Sequence, residues 1–255
     1  MSSIMRRLSL FFAFICFLQI FAAPARAQEN PPIGGVVSPP GAMIFYLAHG
    51  SAGACGNNCS EWIAAEGTVL WDSHKRFLAL LDRLGDRKPP VMLNLKGESA
   101  LEVAASIGRL IRSRGLDVSA AMTRVKDCAA IDEAACAALK RGRQPLDATL
   151  DVSSVACNFD CVLMLAGGVN RTLPSTAQVV LSGTSIRNRL GPKVPGEQVE
   201  GLRSHFNEQY RLYLTQMGVS AQIVDIIERN TETRRAVRLK PEDWLRLRIV
   251  TAVSL

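Results

Sequence analysis

The sequence predicts an α/β protein with a mainly parallel sheet and flanking helices, on three observations. Residues 91–95 (VMLNL) form a short, wholly apolar run, which is typical of a strand covered on both faces. Amphipathic helical segments flank this run through short connections, and strand–helix–strand order favours parallel strands joined by right-handed crossovers. The chain has 255 residues, 48% of them hydrophobic. That supply of apolar residues suits one large domain with a real core and excludes a disordered chain.

Residues 1–27 have the pattern of a secretory signal peptide. Arg6 and Arg7 precede an apolar stretch over residues 8–23, and an A-x-A cleavage pattern ends at Ala27. A membrane-spanning helix needs roughly 20 apolar residues, so the stretch is short for an anchor. We therefore expect cleavage after Ala27, no stable membrane span in the mature chain, and a periplasmic or secreted location.

The rest of the chain divides into a proline-rich linker over residues 28–42 and a folded domain over residues 43–255. Removal of the signal peptide takes away three of the 30 basic residues and none of the 23 acidic ones, which lowers the net charge from +7 to +4. The remaining basic residues are scattered rather than clustered with aromatic residues. A nucleic-acid partner is therefore not expected.

Six cysteines remain after the signal peptide is removed, and an even number in an exported chain favours disulfides. Their spacings, without a nearby histidine, match no common zinc pattern, so we expect no metal and no other cofactor. We favour a local bridge between the first two and leave the pairing of the other four open. Two cysteines four apart in a regular helix are too distant to bond, so the last two can pair only if their helix begins after the first of them or is distorted there. Otherwise each of them pairs with one of the middle two. The six are Cys55, Cys59, Cys128, Cys136, Cys157 and Cys161.

The first half of the domain reads as alternating strands and helices. Strands are predicted over residues 43–48 and 62–70, separated by a loop rich in glycine and cysteine. Asp72 and Ser73 suit the start of a helix that continues to about Asp86, because apolar side chains recur on one face and two prolines follow it. The apolar side chains are Phe77, Leu80, Leu81 and Leu84.

A second amphipathic helix follows the apolar strand 91–95. Ser99 is its predicted N-cap, and Gly115 ends it at the C-cap. Its inward stripe has the spacing i, i+4, i+7 and i+8, which is typical of a helix packed on a core. The stripe consists of Val103, Ile107, Leu110 and Ile111. The chain then returns as a predicted strand over residues 117–125.

The second half is less regular in pattern. Residues 126–150 are predicted to be irregular, and an apolar helix is predicted over residues 153–165 with Ser153 or Ser154 as its N-cap. A strand over 178–181 and a long loop over 183–197, a candidate lid, come next. The remaining predicted elements are helices over residues 197–217 and 221–229 and a last helical turn over residues 241–247.

Three sequence segments resemble the exported Clp-protease-like proteins, whose wider relatives are the Clp proteolytic subunit, signal peptide peptidase A and crotonase. The segments are residues 55–67 (CGNNCSEWIAAEG), 108–116 (GRLIRSRGL) and 166–171 (AGGVNR). The resemblance covers roughly residues 43–250. It implies an α/β spiral of the Clp/crotonase type, and a homo-oligomer is one expectation because relatives often form rings or trimers.

The resemblance also indicates where a catalytic site would lie. Catalytic relatives have a turn of the type N-S-P-G-G that offers backbone N–H groups to an oxyanion, a serine nucleophile at a helix start, and a histidine base after the next strand. In this sequence the turn retains Gly97 but continues with Glu98, the nucleophile position holds Phe159, and the base position holds Ser182. All three positions depart from the catalytic pattern.

These departures predict a peptide- or protein-binding module, or a member of an envelope assembly, without peptidase chemistry. The alternative is a serine hydrolase in which Lys96 activates Ser99. A third interpretation is a thiol–disulfide protein that uses Cys157 and Cys161. The remaining candidate, His49, is expected to be an exposed loop residue, although it could pair with a nearby serine, Ser51 or Ser60.

Overall fold

A six-stranded sheet forms the centre of the molecule in the computed structural model, which describes residues 41–183, 196–233 and 235–254. The predicted signal peptide, most of the linker and most of the loop 183–197 lie outside these residues. The strand order is β4-β3-β2-β1-β6-β5. The six strands are β1 (Ile44–His49), β2 (Glu61–Gly67), β3 (Val91–Leu95), β4 (Val118–Ala120), β5 (Met122–Val125) and β6 (Leu146–Asp151).

The sheet is mainly parallel, as predicted, with two antiparallel pairs. Strand β3 runs parallel to β2 and to β4, and β1 runs parallel to β6. Strands β1 and β2 are antiparallel, as are β5 and β6. The first antiparallel pair follows from the short Cys-rich connection between its strands, because only parallel strands need a long crossover.

The predicted strand over residues 117–125 is two strands at opposite edges of the sheet. Strand β4 pairs with β3, and β5 pairs with β6, with only Ala121 between them. The backbone N–H of Ala121 donates to the carbonyl of Leu93 at 3.1 Å, which fixes the bend. Because consecutive residues occupy both edges, the sheet curls on itself. Trp62 is buried inside the curl and donates its indole N–H to Thr123 at 3.0 Å.

The prediction that residues 126–150 are irregular was wrong. They contain a 3₁₀ turn (Asp127–Ala130), helix α3 (Glu133–Lys140) and strand β6. Asp132 caps α3 by accepting the N–H of Ala135 at 2.8 Å. The short alternation of buried Leu146 and Ala148 with exposed neighbours marks β6 as a half-buried strand.

Three helices accompany the strands of the sheet along the chain. Helix α1 (Ser73–Leu84) lies between β2 and β3, α2 (Leu101–Arg114) lies between β3 and β4, and α4 (Phe159–Ala166) comes after β6. Every residue of α4 is buried. A Cβ atom added at Gly167 would lie 2.1 Å from the carbonyl oxygen of Gly108, so the two glycines allow α2 and the end of α4 to touch backbone to backbone.

Helix α4 begins at Phe159 rather than at residue 153, because strand β7 (Ala156–Cys157) precedes it. The predicted cap at Ser153 or Ser154 was therefore wrong. Ser153 instead donates its backbone N–H and its hydroxyl to Asp151, at 2.9 and 2.6 Å. The late start satisfies the geometric condition for a bridge between Cys157 and Cys161.

All six cysteines form disulfides: Cys55–Cys59, as favoured from the sequence, together with Cys128–Cys136 and Cys157–Cys161. The second bridge ties the 3₁₀ turn to α3. The third encloses the first two residues of α4.

The C-terminal part adds two small sheets and three helices. Strand β9 (Gln178–Leu181) lies between β7 and β10 (Val237–Leu239), and β8 (Thr172–Pro174) pairs with β11 (Ala252–Ser254). The helices are α5 (Gly196–Gln216), α6 (Gln222–Thr233) and α7 (Pro241–Arg246). Within the described ranges, no helix is both long enough and apolar enough to span a bilayer.

Candidate functional site

A cavity of about 600 Å³ lies where several chain segments converge. Its walls come from the turn after β3, the start of α2, the start of α4, the residues after β9 and one face of α5. We call it the α2–α4 pocket. Gly97, Glu98, Phe159 and Ser182, which are far apart in sequence, all line it.

The turn after β3 is held by hydrogen bonds to the last residue of β2 and to the residue that follows it. The hydroxyl of Thr68 donates to the carbonyl of Lys96 at 2.6 Å, and the N–H of Lys96 donates to the carbonyl of Gly67 at 3.1 Å. Gly97 has a φ of +70°, and a Cβ there would approach the Thr68 hydroxyl to 2.9 Å. Glycine is therefore required for both conformation and space. The side chain of Lys96 is exposed and is not part of the pocket lining.

Phe159 forms part of the pocket wall at the start of α4. Its side chain is 6% exposed and packs edge-to-face on Tyr210 of α5, with ring centroids 5.5 Å apart. The residue is thus part of the core as well as of the lining. Ser182 is the first residue after β9. It is exposed and also lines the pocket.

The structure brings Ser99 to Asp160 rather than to Lys96. The N-cap of α2 is Ala100, so the predicted cap at Ser99 was wrong. The Ser99 hydroxyl oxygen accepts the N–H of Val69 at 3.2 Å, and its proton is donated to the Asp160 carboxylate. Asp160 also accepts the N–H of Cys161 at 2.9 Å. Asp160 is the only charged residue of the otherwise apolar helix α4, and this is the feature of the sequence that could have indicated the contact.

Carboxylates dominate the charge of the pocket. Burial raises the pKa of Asp160, which is 6% exposed, while hydrogen bonds from Ser99 and from the backbone oppose that rise. Glu102 accepts the hydroxyl proton of Tyr210 at 3.3 Å. Burial and the nearby Glu102 together raise the pKa of Tyr210 well above its ordinary value. The basic residue of the lining, Arg203, forms an ion pair with Glu200 one turn away on the same helix.

The other candidates lie outside the pocket lining. His49 pairs with Asp147 at 2.6 Å on the neighbouring strand, rather than with Ser51 or Ser60, and both partners are about half exposed. In the part of the chain that the structure describes, no group of three or more His, Cys, Asp or Glu side chains is arranged to hold a metal ion.

The fold and pocket define an α/β protein with a curled sheet and a cavity between two helix starts. No protein-family model and no curated protein matches the chain. Among solved structures, a variant of ClpP1 from Listeria monocytogenes has 12% identity and a TM-score of 0.41, and the match covers 72% of this chain and 82% of that one.

Two variants of the 1510-N membrane-bound stomatin-specific protease are also similar, one of them in complex with a substrate peptide. Their identities are 10% and 11%, with TM-scores of 0.40 and 0.41. Each match covers 72% of this chain and 72% or 68% of the other. At these identities the similarity concerns architecture alone.

Proposed function

We propose that this protein is an exported, Clp-protease-like protein that binds a peptide or protein segment in the α2–α4 pocket without hydrolysing it. The observation that carries the proposal is Phe159. At the helix start where the resemblance places a serine nucleophile, the wall of the pocket is a buried aromatic ring. A phenyl ring has no atom that could attack a carbonyl group.

The remaining lining residues support the same proposal. None of the described residues that line the pocket is a histidine or a cysteine. The sequence contains no histidine between His74 and His205. A serine hydroxyl needs a base to remove its proton, and Lys96, the candidate base for Ser99, is exposed and lies outside the pocket lining.

The charge of the pocket disfavours the chemistry of acyl transfer. A tetrahedral intermediate develops negative charge on oxygen and requires hydrogen-bond donors around it. In this pocket Glu98, Glu102 and Asp160 line the space between the two helix starts. Negative charges there would oppose an oxyanion.

The shape and walls of the pocket suit a bound chain segment. A volume of about 600 Å³ accommodates a few side chains. Trp71 lines the pocket with 46% of its surface exposed, and the half-buried Leu70 and Phe206 line it as well. Exposed aromatic side chains at a concave site are typical anchors for a protein or peptide partner.

Three disulfides support the exported location in the proposal, because disulfides persist in oxidising compartments and are rare in the cytosol. The predicted signal peptide is the sequence feature that would deliver the chain there.

The proposal is tested by selection from a randomised synthetic heptapeptide library, followed by calorimetry on the selected peptides. Ser182 is exposed at the pocket, so Ser182→Trp should fill the entrance and abolish binding, whereas Ser113→Trp, on the exposed side of α2, should not. Mass spectrometry should recover every bound peptide intact. Absence of selected peptides, binding that survives Ser182→Trp, or cleaved peptide would each refute the proposal.

A further inference from the structure

The charges of the α2–α4 pocket are unbalanced in a way that indicates the chemistry of its occupant. Neither Glu102 nor Asp160 has a cationic partner among the described residues, since their contacts are with hydroxyl and backbone N–H groups. Arg203, the basic residue in the lining, is already paired with Glu200. Among the described residues, a bound segment therefore meets two carboxylates without counter-charges.

The position of Asp160 makes this imbalance unusual. Asp160 is the second residue of α4 and is 94% buried, and it also lines the pocket. A buried carboxylate without a counter-charge is unfavourable. If Asp160 only capped the start of α4, an asparagine would serve equally well and would carry no charge. A cation entering the pocket would supply the missing counter-charge.

Aromatic rings around the carboxylates add a second feature that cations favour. Phe159, Phe206 and Tyr210 line the same cavity, together with the exposed indole of Trp71. Ring faces attract ammonium and guanidinium groups, and apolar walls pack the methylene stems of long basic side chains. A cavity lined by both carboxylates and apolar or aromatic side chains offers partners to the charged group and to the stem of such a side chain.

We propose that the α2–α4 pocket recognises a basic side chain, arginine or lysine, on the bound segment, with Glu102 and Asp160 as its charge partners. This inference rests on the proposed function. The stem lies against the aromatic and apolar walls, and the charged group lies between the carboxylates of α2 and α4. Hydrogen bonds to charged groups are worth about 1.5–3 kcal/mol, so loss of one carboxylate should weaken binding about 10- to 150-fold.

The test uses acetylated and amidated heptapeptides of alanine and serine with one central residue: arginine, lysine, norleucine or glutamate. Norleucine retains the apolar stem without the charge. Calorimetry should show the arginine or lysine peptide binding at least tenfold more tightly than the norleucine peptide. No binding is expected for the glutamate peptide. The preference should decrease as salt is raised from 50 to 500 mM.

Two isosteric variants assign the charge partners. Glu102→Gln can still accept the Tyr210 hydroxyl proton, and Asp160→Asn can still accept the N–H of Cys161, so both should fold. Each should remove most of the preference for the basic peptide over the norleucine peptide. The exposed Glu242, on α7 and outside the pocket lining, provides the matched control Glu242→Gln, which should retain it.

The outcomes separate this inference from the proposed function. Equal binding of the basic and norleucine peptides, abolished by Ser182→Trp, would overturn the charge recognition and leave the peptide-binding proposal standing. If no heptapeptide binds, including those from the randomised library, both fail. If acetyl-arginine amide alone binds as tightly as the arginine peptide, the pocket recognises a small free cation, and the assignment to a peptide side chain is overturned.

Discussion

Replacing Phe159 with serine places a hydroxyl group at the helix start where the resemblance expects a nucleophile. The change should destabilise the protein without creating a hydrolase. Phe159 is 6% exposed and packs edge-to-face on Tyr210. Removing a buried phenyl ring costs about 3–5 kcal/mol, including the cavity that remains. Because the ring adjoins the open pocket, water can fill part of that cavity, so we expect a cost of about 3 kcal/mol.

The assay is urea and thermal unfolding followed by circular dichroism. For a chain of this size, about 3 kcal/mol corresponds to a decrease in Tm of roughly 6–12 °C. The matched control is Phe206→Ser at a half-buried position in the same pocket, which should cost about 1 kcal/mol. A fluorophosphonate probe should not label the introduced serine, because the described lining contains no histidine or lysine that could activate it. Labelling there, or a cost below about 1 kcal/mol, would refute the reasoning.

Three further predictions concern the same region. Burial raises the pKa of Asp160, so the folded protein binds its proton more tightly than the unfolded chain, and stability falls as pH rises above about 4. Asp160→Asn should therefore stabilise the protein increasingly as pH rises above about 4, until the raised pKa of Asp160 in the folded protein is passed, and a pH-independent difference in urea titrations would contradict this. Replacing both Cys157 and Cys161 with alanine should cost about 2 kcal/mol from the lost loop constraint and weaken peptide binding, because the bridge encloses residues of the pocket wall. Unchanged affinity would show that the bridge does not shape the pocket. Gly167→Ala should cost at least about 3 kcal/mol, since its Cβ would lie 2.1 Å from a carbonyl oxygen of α2. The exposed helical control Gly201→Ala, with open space around it, should be neutral or stabilising.

Much of the fold could be predicted because its elements carry strong local patterns. The apolar run that became β3 and the helical stripe of α2 were both found within a residue or two. The division at Ala121 could not be predicted, because its cause is pairing with β3 on one side and β6 on the other. Strand β6 itself was missed because only two buried residues, Leu146 and Ala148, mark its inward face.

The candidate site was predictable in position and not in detail. The resemblance identified three separate places in the sequence, and Gly97, Phe159 and Ser182 from those places line one cavity. The contact between Ser99 and Asp160 was not foreseen, since it depends on how α2 packs against α4. The wall formed by α5 was missed for the same reason: its position is set by tertiary packing, which local sequence does not encode.

The central claim is that the pocket binds a chain segment and performs no acyl transfer. Intact-mass analysis of the purified protein after treatment with a fluorophosphonate probe tests this claim most directly, with an active serine hydrolase as the positive control. We predict an unchanged mass for this protein and a full adduct on the control. A stoichiometric adduct on one serine would contradict the account, and an adduct on Ser99 or Ser182, which line the pocket, would identify the pocket as a hydrolytic site.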